Sequence, residues 1–422
     1  MSAGSRFLIS ASTLMSSTIV AQAITFGLSF ILTRLYDPAE FGRFSIFVGV
    51  AGVLGAASTG ALDRVVLLAR SDRESQRAAA TALMLAAAAA LLVSAIGLAL
   101  GIAGVASALP LEPIDLALLI PLFMMSYAGG QVFTYACLRQ NKVRRLAAFK
   151  VAQTSSVGAV QLLLASVKEV AGLILGSLAG WSLLLAAGVR WRLQQGRLRS
   201  DLRLRSAKAL IRRHWRYPRY VMPNEALDNL SNQVPVFLVG SFLSLAAAGY
   251  YGLAIMMLSA PAALIGQAVG QAFLQYMSGH TGESRLLETA VKRIWVAMAS
   301  IGAAPFLLIF IYGPEIFSAA FGGDWSDAGQ VARYLAPLLF IRFVSSPTST
   351  VYLKLGMQRE QWWFCLAAAT YRTIAYSLGM FGANLRTMIM VHVAAETVAI
   401  VLYNWVAVAR LRSPSAWVRA VR

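Results

Sequence analysis

Two cysteines and three histidines in 422 residues leave little material for several kinds of chemistry. Cys137 and Cys365 form no CxxC pair, so neither a disulfide framework nor a thiolate metal site is indicated. His214, His280 and His392 fall into no Ser/His/Asp order, and no glycine loop of the phosphate-cradling kind occurs. No cofactor is therefore expected. Charge is scarce as well. Only 13% of residues are charged, where a soluble protein carries about 25%. Acids are scarcest, 18 against 37 bases.

What is abundant is apolar: 58% of the chain is hydrophobic and the mean hydropathy is +0.65. Runs of about 20 apolar residues recur from end to end, which describes an all-α polytopic membrane protein. The first run, Phe7–Leu32, is too long for a signal-peptide core and reads as a retained span. Twelve spans are expected, near 7–34, 41–62, 78–107, 116–138, 149–167, 170–189, 220–244, 249–277, 294–313, 329–353, 361–382 and 387–409. With both termini cytoplasmic, Lys and Arg gather on alternate, inside segments. Loops 108–115 and 314–328 hold none and carry Glu112, Asp115, Glu315, Asp324 and Asp327 instead. The net charge of +19 is thus a membrane-orienting charge that meets anionic lipid, and no nucleic-acid partner is expected.

Segment 190–219 holds eleven basic residues and divides six spans from six. Leucines and tryptophans between its arginines suit an amphipathic helix on the inner leaflet, serving either as an orienting linker or as a substrate-recruiting surface. The expected organisation is a six-helix lobe at 1–189, this linker, a second six-helix lobe at 220–409 and a basic tail at 410–422. The lobes echo each other. Ala39-Glu-Phe-Gly42 matches Ala246-Ala-Ala-Gly249, and Leu138-Arg-Gln-Asn141 matches Leu353-Lys-Leu-Gly356. Asn and Gly are the residues that tolerate a left-handed helix terminus. Six spans per lobe give a parallel repeat about the membrane normal, an architecture in which transporters hold substrate between the lobes.

Leu32-Thr-Arg-Leu-Tyr-Asp-Pro-Ala-Glu-Phe-Gly-Arg-Phe resembles the end of the first span in the polysaccharide transporters, and Gly249-Tyr-Tyr-Gly-Leu-Ala is similar to the opening of their eighth. The resemblance implies an oligosaccharidyl-lipid flippase of the multidrug/oligosaccharidyl-lipid/polysaccharide exporter superfamily. Such a protein moves undecaprenyl-diphosphate-linked glycan from the cytoplasmic to the periplasmic leaflet of a bacterial inner membrane. Other polysaccharide-assembly membrane proteins would be its partners.

The residues suggest where recognition lies. Glu225, Asp228, Asn229 and Asn232 fall on one face of span seven. Two carboxylates at that depth cost roughly 5–7 kcal/mol on insertion scales, so a wet cavity is expected beside them. Glu225 and Asp228, one turn apart, are the candidate coupling-ion site for H+ or Na+. Gln267, Gln271 and Gln275 stripe span eight in the same half of the membrane, below a candidate bend at Pro261. Asn229, Asn232, Gln267 and Gln271 are candidate substrate-binding residues. Arg342 and Arg372, mid-span, are candidates for the diphosphate, because a planar guanidinium binds two phosphate oxygens at once. Arg372 has an alternative, a structural bridge to Glu396, whereas Arg342 has no evident partner. His392 and Glu396, one turn apart, form a hydrogen-bonded pair or a proton relay. The family resemblance adds Arg34, which with Arg43 should stand at head-group level. Gln22, Gln131, Tyr135, Gln153 and Gln161 are the notable polar groups of the first lobe.

Two other functions fit the setting. A polysaccharide polymerase or membrane acyltransferase would need a catalytic constellation that is missing, and polymerases expose a large outer loop that is missing too. A multidrug-type antiporter of the same superfamily is opposed by arginines at mid-span. The expectation is a transporter, not an enzyme.

Overall fold

The computed structural model describes residues 3–104, 111–165, 170–194, 204–279 and 284–412. The end of the basic tail and part of the basic linker lie outside these residues, as does His280. Among the described residues there is helix and turn but no strand. Eight helices are long and apolar enough to cross a membrane.

Contacts gather the chain into two compact units, Met1–Gln233 and Val234–Arg422. The first holds α1 (Ala3–Leu35), α2 (Pro38–Ser58), α3 (Asp63–Leu68), α4 (Asp72–Ile102), α5 (Ile120–Arg139), α6 (Val143–Leu164), α7 (Val170–Gln194), α8 (Leu204–Arg213) and the first half of α9 (Met222–Phe242). The second holds the rest of α9, then α10 (Leu245–Gly279), α11 (Ser284–Phe321), α12 (Ser326–Ser345), α13 (Ser349–Lys354), α14 (Gln358–Ser377) and α15 (Leu385–Leu411). The division falls inside α9. The eight apolar helices are α1, α2, α4, α5, α7, α10, α11 and α15. Helices α6, α9, α12 and α14 lie at four further expected spans, each 20 to 22 residues long but less apolar.

Local sequence explains the ends. Asp37 caps α2: its Oδ1 accepts from the Glu40 amide at 2.8 Å while Glu40 Oε2 accepts from the Asp37 amide at 2.9 Å, and Pro38 opens the first turn. The preceding Tyr36 is buried and donates its hydroxyl to the Gln161 carbonyl at 2.9 Å. The stretch 32–44 is thus a helix-capping device tied to α6. At the matching place in the second unit, Ser244 accepts from the Ala247 amide at 3.1 Å and caps α10. Asn141 and Gly356 both stand at positive φ, 53° and 67°. The following amides, Lys142 and Met357, both reach back to close the turn, at 2.9 Å, on the carbonyls of Cys137 and Tyr352.

Three expected spans differ in extent. The second breaks at residues 59–62, where Gly60 and Ala61 adopt positive φ of 61° and 57°, and resumes as α3. The tenth breaks at Pro347 into α12 and α13, since proline cannot donate to the helix ladder. The ninth is longer than its apolar run. Leu287 and Val291, one turn apart, are buried with Phe273, Met277 and Tyr352, and this packing carries α11 on through the polar stretch 284–293.

Ion pairs in the first unit gather at helix ends. Arg43 bonds Glu112 at 2.6 Å and buried Asp115 at 3.1 Å, so two acids of the expected outer loop hold it. At the opposite end of α4, Arg139 bonds Asp72 at 3.1 Å, and Glu74 Oε1 meets His214 Nε2 at 3.0 Å and Arg213 at 3.4 Å. The latter contacts dock α8, whose Ala207 and Leu210 are buried while Lys208, Arg212 and Arg213 face out. This is the amphipathic helix expected within the linker. Both cysteines are free.

Candidate functional site

The second unit contains a buried polar knot built from two helical pairs. On α15, His392 and Glu396 are one turn apart; on α14, Arg372 and Tyr376 have the same spacing. Packing of these helices turns the pairs face to face. Arg372 donates Nε to Glu396 Oε2 and Nη2 to Oε1, each at 3.1 Å. His392 Nε2 lies 2.6 Å from Oε2, and its Nδ1 lies 3.0 Å from the Tyr376 hydroxyl. A neutral ring protonated on Nε2 satisfies both bonds, donating to the carboxylate and accepting from the phenol. Tyr251 of α10 meets Tyr376 edge to face at 5.7 Å, and Tyr371 stacks on His392 at 6.3 Å.

Arg342, from α12, completes the knot by bonding Glu396 Oε1. The expectation that Arg342 lacks a partner is thereby corrected. A carboxylate has two oxygens and about four lone-pair sites, and Glu396 fills them from two guanidinium groups and an imidazole. The alternative reading of Arg372, a bridge to Glu396, is what the geometry shows. His392 and Glu396 are paired as expected, but within a network. The arginines differ in access: 31% of the Arg342 side chain is exposed, against 8% for Arg372 and 5% for Glu396. With a neutral imidazole, two guanidinium groups share one carboxylate, and the unbalanced positive charge has its open edge at Arg342. Such a site can accept an anion without first giving up its own carboxylate.

The polar face of α9 behaves differently. Glu225 is half-buried and ion-paired with Arg64 of α3. Arg64 thus adds a cationic partner to the candidate coupling-ion pair of Glu225 and Asp228. The sequence places Arg64 in an inner loop; in the structure it stands on α3, just after the break at 59–62. Beside it, Asp63 is buried and accepts from the Thr59 hydroxyl at 2.6 Å. Asp228, Asn229 and Asn232 are exposed. Asn229 donates to the Glu225 carbonyl and Asn232 to the Asp228 carbonyl, both at 2.9 Å, so both amides fold back on their own helix.

Gln267 and Gln271 of α10 are exposed. The glycines just before each, Gly266 and Gly270, pack on Ser346 and Thr350, which turns the glutamines away from that contact. Arg34 is exposed at the end of α1, with no ion pair among the described residues. The structure therefore brings Arg342 and Arg372 together on one carboxylate, while Arg34, Asn229, Asn232, Gln267 and Gln271 stay outside that knot. Sequence reasoning missed Arg64 and Tyr376; the i, i+4 spacing of Tyr376 from Arg372 was the available signal for the latter.

Eight long apolar helices, distributed over two compact units, define a polytopic membrane protein. Solved structures with this fold include an inward-facing multidrug resistance MATE family transporter of the MOP superfamily, with a TM-score of 0.60, 15% identity and 95% of each chain covered. A MOP superfamily transporter from Pyrococcus furiosus, whose binding pocket is described as of reverse polarity, matches with a TM-score of 0.60 at 15% identity over 96% of each chain. The profile of the family described as Polysaccharide biosynthesis protein matches residues 31–330, and the chain belongs to that family. A curated relative, the succinoglycan biosynthesis transport protein ExoT of Rhizobium meliloti (strain 1021), is 26% identical over 415 residues, covering 92% of this chain and 78% of its own length.

Proposed function

We propose that this protein is a flippase that carries an undecaprenyl-diphosphate-linked oligosaccharide from the cytoplasmic to the periplasmic leaflet of a bacterial inner membrane. It works by alternating access and serves exopolysaccharide or O-antigen assembly. Twelve spans in two six-helix lobes, with both termini cytoplasmic, belong to this reading. Membership of a polysaccharide biosynthesis family and likeness to a succinoglycan transport protein support the cargo class. The observation that carries the proposal is the Arg342–Glu396–Arg372 knot, where two guanidinium groups meet one carboxylate and Arg342 keeps an open edge. A diphosphate matches that excess in charge and in forked geometry. A cationic drug does not, which disfavours the multidrug antiporter.

Arg342→Ala should abolish transport of lipid-linked glycan in reconstituted vesicles while the protein stays in the membrane at normal levels. Arg342→Lys should recover part of it, since an ammonium keeps the charge but loses the fork. Full transport by Arg342→Ala would remove the proposed diphosphate site.

A further inference from the structure

The first unit contains a polar cavity that the diphosphate knot does not explain. Helix α1 packs along α6, with Leu28 against Gly158, and between them lies a cavity of about 190 Å³. It is lined by Thr18, Gln22 and Thr25 of α1 and by Lys150, Gln153 and Thr154 of α6. On α1 these residues fall at i, i+4 and i+7, and on α6 at i, i+3 and i+4, so each helix turns one polar stripe toward the other. Gln22 stands about 20 Å from the Leu35 end of α1, and Lys150 about 21 Å from the Leu164 end of α6, at 1.5 Å per residue. Gln22 therefore lies well within an apolar layer about 30 Å thick, while Lys150 stands at the inner end of the fifth expected span, 149–167.

Several of these groups are unspent. The Thr25 hydroxyl donates to the Ala21 carbonyl at 3.0 Å, and the Thr154 hydroxyl to the Lys150 carbonyl at 3.2 Å, which leaves their oxygen lone pairs open to the cavity. The amides of Gln22 and Gln153 and the ammonium of Lys150 have no bonding partner among the described residues. Amides left unpaired at the depth of Gln22 cost free energy, and Lys150 at the inner mouth of the cavity adds a positive charge to the requirement on any ligand that completes them. Two amides offer donors and acceptors together, threonine oxygens offer acceptors, and the lysine offers one positive charge. Few ligands need all three. A sugar ring bearing an acidic substituent does: its hydroxyls both donate and accept, and its carboxylate or phosphate meets the ammonium. The cavity is below the roughly 300 Å³ of ordinary small-molecule pockets, which limits it to a single ring.

We infer that the cavity between α1 and α6 is a saccharide subsite, in which Gln22 and Gln153 bond sugar hydroxyls and Lys150 pairs with an acidic substituent. This subsite rests on the flippase reading and narrows it, since it makes the first unit a reader of sugar identity separate from the diphosphate knot of the second.

Native mass spectrometry of the full chain in detergent tests it. The probes are undecaprenyl diphosphate, the same lipid carrying one glucose, the same lipid carrying one glucuronic acid, and phosphatidylglycerol. Wild type should hold the glucuronyl lipid about tenfold more tightly than the bare diphosphate. Gln22→Leu with Gln153→Leu should lose that preference yet keep affinity for the bare lipid; Thr154→Val, a milder change, should weaken the preference without threatening the fold. Lys150→Met should erase the difference between glucuronyl and glucosyl lipid. An unchanged preference in all three variants would sink the subsite, as would a wild type that shows none. Phosphatidylglycerol displacing the glucuronyl lipid in wild type but not in the double variant would reassign the cavity to a phospholipid head group and overturn the saccharide inference. The flippase reading fails separately, if wild type binds no bare undecaprenyl diphosphate or if Arg342→Ala leaves that binding intact.

Discussion

Arg342 and Arg372 bond the same Glu396 carboxylate, yet 31% of the first side chain is exposed and only 8% of the second. One carboxylate thus divides two arginines into a group that can turn to an outside anion and a group that holds the helices together. The difference follows from position. Arg372 brings Nε and Nη2 to both carboxylate oxygens from the adjoining α14, whereas Arg342 brings Nε and Nη2 to Oε1 alone from α12.

Loss of the shared carboxylate should therefore be felt more in stability than loss of Arg342. Glu396→Gln leaves two guanidinium groups at the knot without their counter-charge, and breaking such a buried pair costs about 3–5 kcal/mol. Arg342→Ala leaves Glu396 still bonded by Arg372 and His392. Thermal unfolding of the purified variants in one detergent should rank Glu396→Gln well below Arg342→Ala. The reverse order would contradict the division of roles.

A charge swap should fail here. If Arg372 and Glu396 formed an isolated bridge, Arg372→Glu combined with Glu396→Arg would restore it. Because Arg342 also bonds Glu396, the swap places two guanidinium groups side by side. Glycan export by the swapped variant should remain absent, and adding Arg342→Gln should raise its membrane level. Restored export from the double variant alone would show that Arg342 is not coupled to the pair.

The capping box at Asp37 should be worth about 1 kcal/mol. Asp37→Ala should lower the unfolding temperature, and Asp37→Ser should retain most of the wild-type value. At Asn141, where φ is 53°, a glycine should be tolerated and a valine should not, since β-branched residues are strained in the left-handed region. A stable Asn141→Val would show that this turn relaxes.

Sidedness can be read directly. In a chain with Cys137 and Cys365 replaced by alanine, Ser206→Cys and Asp324→Cys should react with an impermeant maleimide from opposite faces of the membrane. Labelling of both from one face would overturn the twelve-span arrangement.

Glu225 is proposed as part of a coupling-ion site, and its bond to Arg64 sharpens the test. Glu225→Gln should remove the pH or sodium dependence of transport, and Asp228→Asn should weaken it. If Arg64 only neutralises a structural carboxylate, Glu225→Gln with Arg64→Gln will transport with unchanged ion dependence.

How much could be read without coordinates depends on the range of the interaction involved. Helices follow from apolar runs. The left-handed ends at Asn141 and Gly356 follow from the two residue types that tolerate that region, and the His392–Glu396 contact follows from i, i+4 spacing, because in each case the groups that decide are within one helical turn. The acidic partners of Arg43 were visible only as a charge bias in loop 108–115. Three things the sequence left open were decided by packing. Arg342 shares Glu396 because α12 packs against α15, and no spacing along the chain encodes that approach. Arg64 reaches Glu225 because the chain breaks at residues 59–62 and continues as the short helix α3, which an apolar pattern running to residue 62 conceals. Gln22 and Gln153 are separate mid-span polar residues on paper; only the packing of α1 on α6 gives them one cavity with Lys150. Composition and periodicity fixed the solvent and the helices, because burial in lipid acts on each segment alone. Which polar groups meet was left to tertiary packing, because a buried ion pair or cavity needs side chains from helices far apart in sequence.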